Sequence, residues 1–315
     1  MNKTLTDRIK ISAKEAGFDL VGIASAAPTG EDDRLRSWLD QGCHASMSWM
    51  ENHIDKRLDP TRLMPGAQSI VVLAMNYYPG RISHDDPSRA RISRYALSHD
   101  YHRILKKRAL GLLSEIKSWS ESIQGRFFVD TAPIMEKFWA VQAGLGGMGK
   151  QGLIVTREFG SWVFLGEILL NIGLKQDEPQ PDCCGSCRLC IDACPTRAII
   201  APYVVDANRC LSYLTIEHRG EIPPDAASEM GNRIFGCDIC QEVCPWNIQR
   251  ATVTNKKEFL PNPIHVDLQL KELADFTEEQ FRQKFGKSPI KRAKFDGFQR
   301  NVRIGLRNAE PLPFT

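Results

Sequence analysis

A chain of 315 residues with 42% hydrophobic and 25% charged residues has room for one large or two ordinary domains with a real core. The net charge of +3 is too small to assign or exclude a partner, so its distribution matters more. No run approaches the roughly 18 apolar residues of a membrane span, and Asn2-Lys3-Thr4 opens neither a signal peptide nor a twin-arginine motif, which points to a cytoplasmic protein.

Along the chain, Thr6-Asp7 reads as a helix start with Ile9, Ala13 and Ala16 on one face and Gly17 as its stop. Leu20 to Ala24 and Ile70 to Met75 read as buried strands, and Tyr101 to Ile123 as a helix. Arg126 to Thr131 returns to strand, Ile134 to Ala143 to helix, and Leu153 to Thr156 and Trp162 to Leu170 to strand. This alternation predicts a layered α/β (α+β) domain over residues 1–175. The polar, Pro-rich stretch from Lys175 to Asp182 marks a boundary. A cysteine module follows over 176–250, and a basic segment over 251–315, with helices predicted at Leu268 to Phe285 and Ile290 to Leu306.

Asp130 closes the run Phe127-Phe128-Val129. A carboxylate at the end of a strand, among apolar neighbours, suits general acid work, because partial burial would raise its pKa and keep a proton available. Capping the following helix is the commoner role for Asp or Thr131 at such a place. The loop Gly144-Leu-Gly-Gly-Met-Gly149-Lys150-Gln151 mimics two nucleotide-binding patterns. The dinucleotide fingerprint should follow a strand and open a helix, whereas here a helix precedes and a strand follows. The P-loop needs Ser or Thr where Gln151 stands. Two readings survive: a backbone lying against a large flat ligand with Lys150 at hand, or a helix C-cap with a tight turn.

Nine of the ten cysteines fall between Cys183 and Cys244. Cys184-x2-Cys187-x2-Cys190-x3-Cys194-Pro195 has ferredoxin spacing, and so does Cys237-x2-Cys240-x3-Cys244-Pro245, with Cys210 upstream. In two-cluster ferredoxins the cysteine before the proline reaches across to the other cluster. That assigns Cys184, Cys187, Cys190 and Cys244 to one [4Fe–4S] cluster, and Cys194, Cys210, Cys237 and Cys240 to the other. Paired CxxC units also bind zinc, but three equally spaced cysteines plus two Cys-Pro runs are the iron–sulfur pattern. Cys183 and Cys43 are left over.

Longer motifs resemble the epoxyqueuosine reductase family along nearly the whole chain. They are Lys56-Arg57-x-Asp59-Pro60, Leu63-x-Pro65-Gly66-Ala67, Asp100-Tyr101-His102, Val129-Asp130-Thr131-Ala132-Pro133, the glycine loop with Lys150, the Cys-Pro runs, Cys210-Leu-Ser-Tyr-Leu-Thr-Ile-Glu217, Ser288-Pro-Ile-Lys-Arg292 and Arg300-Asn301. The resemblance implies a nitroreductase/B12-processing-like domain holding cobalamin base-off; the Asp-x-His-x-x-Gly signature of a histidine ligand is missing. It implies reduction of epoxyqueuosine to queuosine in the anticodon loop of tRNA, with electrons passed by the two clusters from an external flavodoxin- or ferredoxin-like donor, and Asp130 as proton donor. Arg57, Lys150, Ile154, Ser212 and Asp238 match segments expected around the corrin.

A tRNA partner needs positive surface. Arg282 to Arg307 holds nine Lys or Arg against one acid, and Arg81 to Arg108 eight against three. Phe281, Phe285, Phe295 and Phe298 fit a core better than base stacking. A cobalamin-dependent reductive dehalogenase, or a non-catalytic electron carrier or B12 chaperone, are the rival readings, and a monomer is expected.

Overall fold

The computed structural model describes residues 4–82 and 86–309. His84 and Asp85 of the first basic stretch, and the residues before Thr4, lie outside that range. Four strands form the central sheet in the order Leu20–Ser25, Ser69–Asn76, Val163–Leu170, Gly125–Phe128. Every neighbouring pair runs antiparallel. The alternation of helices and strands therefore builds an α+β sheet rather than a parallel α/β one. Ser69–Asn76 is buried along its length because it is central and covered on both faces.

The first helix spans Leu5–Glu15, and its cap is Thr4, two residues before the expected start. Thr4 and Asp7 form a reciprocal capping box, which fixes the start more firmly than Thr6 could. This helix and Tyr101–Ser118 cover one face of the sheet through Ile9, Leu105, Leu112 and Ile116 against Val71, Leu73 and Ile168. The helix Glu136–Gln142 covers the other face, where Trp139 and Ala140 meet Ile70, Val72 and Leu169. Tyr101–Ser118 stops five residues short of the expected Ile123, with Trp119 as its cap.

The stretch from Lys175 to Asp182 is docked on the sheet domain. The Asp177 amide donates to the Ile23 carbonyl at 2.9 Å, and Asp177 Oδ2 accepts from the Ile23 amide at 2.8 Å. Lys10 Nζ lies 2.5 Å from the same carboxylate. Farther on, the expected helix from Leu268 divides into Leu270–Ala274 and Glu278–Phe285, because Thr277 and Gln280 form a second capping box. Pro289–Ala293 is a 3-10 turn leading into the last helix, Lys294–Ala309. Phe281, Phe285 and Phe298 are buried, with Phe295 packed beside them, in a core shared with Ile92, Leu97, Ile234 and Phe235. They are core residues, as their apolar spacing predicts. Among the described residues no helix is long and apolar enough to cross a membrane.

Candidate active site

The strand Gly125–Phe128 ends before Asp130, which sits in a turn with φ +45°, a left-handed conformation that L-residues adopt rarely. The following helix is capped at Met135 with no side-chain bond, so Asp130 is not a helix cap. Its Oδ2 instead accepts from the Tyr101 hydroxyl and lies 3.0 Å from His102 Nε2. His102 Nδ1 lies 2.7 Å from Asp100 Oδ1, and Lys291 Nζ lies 2.9 Å from Asp100 Oδ2. Lys291, Asp100, His102 and Asp130 thus form a chain of alternating charge.

The helix start explains the arrangement. Asp100 caps Tyr101–Ser118 by accepting the His102 amide, which places Tyr101 and His102 in the first turn. The Tyr101 ring stacks on Phe164 at 4.2 Å and on His102 at 4.1 Å, so both side chains are held by packing. Tyr101 and His102 stand in a family motif, yet nothing in the sequence alone gives them a role. The signal available was a tyrosine and a histidine next to a capping aspartate.

Asp130 keeps 53% of its side chain open to solvent although protein surrounds it on most sides. That enclosure raises its pKa, but hydrogen bonds from His102 and Tyr101 and the His102 charge outweigh it, and the net shift is downward. The expected raised pKa is therefore overturned. Burial lowers His102, yet its bonds to Asp100 and Asp130 carry it up to about 9. At neutral pH the resting proton sits on the imidazole, one hydrogen bond from the Asp130 carboxylate.

The cysteine side chains fall near one another along the second half of the chain. Cys190 has Cys184, Cys244 and Cys187 as its charged neighbours, and Cys244 has Cys184 and Cys187. Cys210 neighbours Cys194, Cys237 neighbours Cys210, and Cys240 neighbours Cys237 and Cys210 and, across the two groups, Cys190. Burial raises the thiols of Cys190, Cys210, Cys237, Cys240 and Cys244, so thiolates there need a compensating cation. Backbone amides of Ser212 and Tyr213 face Cys210, and those of Trp246 and Asn247 face Cys244. Two groups of four, with amides aimed at the sulfurs, fit two iron–sulfur cubes. Cys183 is hydrogen-bonded to Cys184, and its sulfur lies within 4.8 Å of the Cys184 sulfur and an Asp182 carboxylate oxygen. Cys43 is buried apart from both.

The other expected contact residues have these partners within the protein. Lys150 is buried, and its Nζ bonds the carbonyls of Gly185 at 2.5 Å and Cys187 at 2.9 Å, so its ammonium holds the first cysteine loop. Asp238 is buried and accepts from Ser93 Oγ at 2.7 Å, the Arg94 amide at 2.8 Å and Arg94 Nη1 at 3.2 Å. It fastens the second cysteine loop to the segment before Tyr95. Ile154 is a core residue paired with Met148. Arg57 Nη2 donates to the Trp49 carbonyl at 2.9 Å, and Ser212 is half-buried behind Cys210.

The glycine loop is explained by its own chain. Gly144 terminates the Glu136–Gln142 helix with φ +74°. A Cβ on Gly146 would lie 2.3 Å from the Val155 carbonyl, and one on Gly147 would lie 2.7 Å from the Pro181 carbonyl. These close approaches are to backbone, and the positive φ of Gly144 supplies the C-cap and tight turn.

Burial, and after it the charges of Asp130 and Asp238, raises the Tyr95 hydroxyl above its ordinary pKa. Of the basic residues, Arg94, Arg108, Lys291, Arg292 and Arg300 are committed to partners within the protein. Arg103, Lys106, Lys107, Lys287, Lys294, Arg303 and Arg307 are exposed.

The family model of epoxyqueuosine reductase QueG, DUF1730, matches residues 57–131, and that of the 4Fe-4S double cluster binding domain matches 183–247. The epoxyqueuosine reductase of Cyclobacterium marinum is 43% identical over 94% of this chain and 95% of its own. That of Synechocystis sp. is 43% identical over 91% of this chain and 100% of its own. A crystal structure of epoxyqueuosine reductase with a tRNA-Tyr epoxyqueuosine-modified stem loop superposes with a TM-score of 0.91 at 33% identity, covering 97% of this chain and 81% of that one. A structure of the epoxyqueuosine reductase from Bacillus subtilis, with an aspartate-bearing catalytic loop swung out of the active site, gives a TM-score of 0.90 at 32% identity over 97% of this chain and 82% of its own. With identity sustained over nearly the full length of these relatives, the chain belongs to the epoxyqueuosine reductase family.

Proposed function

We propose that the chain reduces epoxyqueuosine to queuosine in the anticodon loop of tRNA. The reaction takes up two electrons and two protons, breaks both epoxide C–O bonds, forms the alkene and releases water. The observation that carries the reading is the Asp100–His102–Asp130 relay, which sets a charged imidazole against a half-exposed carboxylate.

Cys184, Cys187, Cys190 and Cys244 hold one cluster; Cys194, Cys210, Cys237 and Cys240 hold the other. Cobalamin, when bound base-off, supplies a strongly reducing and nucleophilic metal for the epoxide carbon. Both nitrogens of His102 are taken by carboxylates, leaving none for cobalt, which fits a cofactor held without a histidine ligand. Arg57, Ser212 and the backbone at Ile154 would line it. Lys150 and Asp238 would act on it only through the loops they fasten.

Closure over cofactor and tRNA strips water from the Asp130 carboxylate, which favours its neutral form. The proton then passes from His102 Nε2 to Asp130 Oδ2, and from there to the departing oxygen. Asp100 stays charged because Lys291 and His102 hold its carboxyl well below the usual range against its burial. An alkoxide leaves poorly at neutral pH, and such acid help is worth about 10²–10⁴-fold. Electrons enter from a flavodoxin- or ferredoxin-like donor, and the protein acts as a cytoplasmic monomer.

The test is anaerobic turnover of cobalamin-loaded protein on epoxyqueuosine-containing tRNA, followed by nucleoside mass spectrometry. Loss of one oxygen, dependent on cobalamin, is expected. An unchanged nucleoside, with clusters and cobalamin verified by spectroscopy, would assign the protein another reductive substrate.

A further inference from the structure

Aromatic rings are kept off the surface of this protein with one exception. Among the described residues Trp49 is the only Trp, Tyr or Phe that is exposed, at 41%. It lies on the 3-10 turn Ser48–Met50 and belongs to none of the hydrophobic cores.

The ring is nonetheless held in place. Arg57 Nη2 donates to the Trp49 carbonyl at 2.9 Å, and Arg57 Nε to the Asn52 carbonyl at 3.4 Å, which clasps the turn from behind. The Arg292 guanidinium stands over the indole, 5.2 Å from the ring centroid, within cation–π distance. Arg292 Nε in turn donates to both carboxylate oxygens of Glu217, at 2.8 and 3.0 Å.

The turn that supplies Arg292 also serves the relay. Lys291 and Arg292 are consecutive in Pro289–Ala293; the first reaches Asp100 Oδ2 at 2.9 Å and the second reaches Trp49. Glu217 follows the helix Leu211–Ile216, which Cys210 opens. One arginine thus ties the exposed ring to the element that ends the Asp100–His102–Asp130 relay and to the segment that carries a cysteine ligand.

Single aliphatic side chains on a surface need no ligand. A fixed indole with a cation over it is a different object, because it offers a flat π surface and a positive charge together. That chemistry matches an unpaired nucleobase, which stacks on the ring while the cation faces its phosphate. Every base has a π face, so such a platform gives hold and position rather than sequence.

We propose that Trp49, braced by Arg292, is the platform on which an unpaired base of the substrate stem loop stacks. The inference rests on the tRNA reaction proposed above. Trp49 holds the substrate and transfers neither proton nor electron.

The test titrates cluster- and cobalamin-loaded protein with a stem loop carrying epoxyqueuosine, the same loop without the modification, and loops with 2-aminopurine on either side of that position. Trp49→Ala should weaken binding of the modified loop by roughly 5–150-fold, the worth of one stacked base. Trp49→Phe keeps a ring and should recover most of the loss, whereas Trp49→Leu, apolar but not flat, should not. Stacking quenches 2-aminopurine, so a label quenched by wild type and not by Trp49→Ala identifies a flanking base as the one on the ring. Loss of affinity for the modified loop alone, with neither label responding, identifies the modified base instead. Equal affinities and equal quenching in wild type and Trp49→Ala would overturn the platform. So would loss of bound cobalamin in Trp49→Ala, which would give the ring to the cofactor. Binding needs no turnover, so a wild type that stacks the loop but leaves the nucleoside unchanged would defeat the proposed reduction and leave the platform standing.

Discussion

His102 Nε2 lies 3.0 Å from Asp130 Oδ2 while its Nδ1 lies 2.7 Å from Asp100 Oδ1, so one imidazole joins two carboxylates drawn from different segments of the chain. Its proton is held by both. NMR titration should find the His102 ring near pKa 9, and Asp100→Asn should move it back toward 6.5. Because the folded value is raised, the stability His102 contributes is complete below pH 6.5 and lost as pH climbs through about 9. Asp100 has the opposite sign: its contribution is present above pH 3.8 and lost as pH falls below it.

Asp130→Asn should keep both clusters and bound cobalamin while turnover drops by about 10²–10⁴-fold. Asn retains an acceptor for Tyr101 and His102 but cannot pass on a proton. Visible spectra and single-turnover rates on one preparation separate the two properties. Full turnover would leave Asp130 a loop residue only.

The cysteine assignment is tested by replacing one ligand from each group. Cys244→Ser should remove the signal of the cluster held by Cys184, Cys187 and Cys190, and Cys194→Ser that of the other, in electron paramagnetic resonance of the reduced protein. Cys183→Ser should leave both. Loss of a cluster in Cys183→Ser would move the ligand from Cys184 to its neighbour.

Asp238 and Arg94 form a buried pair, 9% and 7% exposed, and Arg94 also reaches Glu242 Oε1 at 2.6 Å. Asp238→Ala removes the acceptor of the Arg94 amide and half the compensation of a buried guanidinium. Breaking such a pair costs about 3–5 kcal/mol. A thermal melt should show the loss, and the inner cluster, held by Cys237 and Cys240 on either side, should bleach first.

Replacing Lys294, Arg303 and Arg307 with Gln should weaken stem-loop binding and flatten its salt dependence, by about 0.7–0.9 in log–log slope for each phosphate no longer neutralised. The single-turnover rate at saturating RNA should be unchanged. Equal salt slopes would assign these exposed side chains to solvent.

Much of the molecule was legible in the sequence for a physical reason. Ligand spacing is local, so the two Cys-Pro runs assign themselves, and the continuous apolar run at Ile70 to Met75 marks the central strand. Strand direction is set by partners far along the chain, and there the alternation of helix and strand could not reveal that every pairing is antiparallel. Lys150 and Asp238 illustrate a second limit. Each is a charged residue inside a motif, and each proves to be a fastener whose partner lies 35 or 144 residues away. The Asp130 pKa is the third: its sign follows from His102, which no spacing rule attaches to it.

Asn301 lies fully buried on the last helix, and its Nδ2 donates to the carbonyls of Thr215 and Ile234, each at 2.8 Å. Those carbonyls belong to the segments that deliver Cys210 and Cys237, and Phe298 shares their core. The iron–sulfur loops are therefore no detachable cassette. The helix that presents Arg303 and Arg307 to solvent is thus pinned through one side chain to both cysteine-bearing segments, so a disturbance of either segment reaches that helix without crossing solvent.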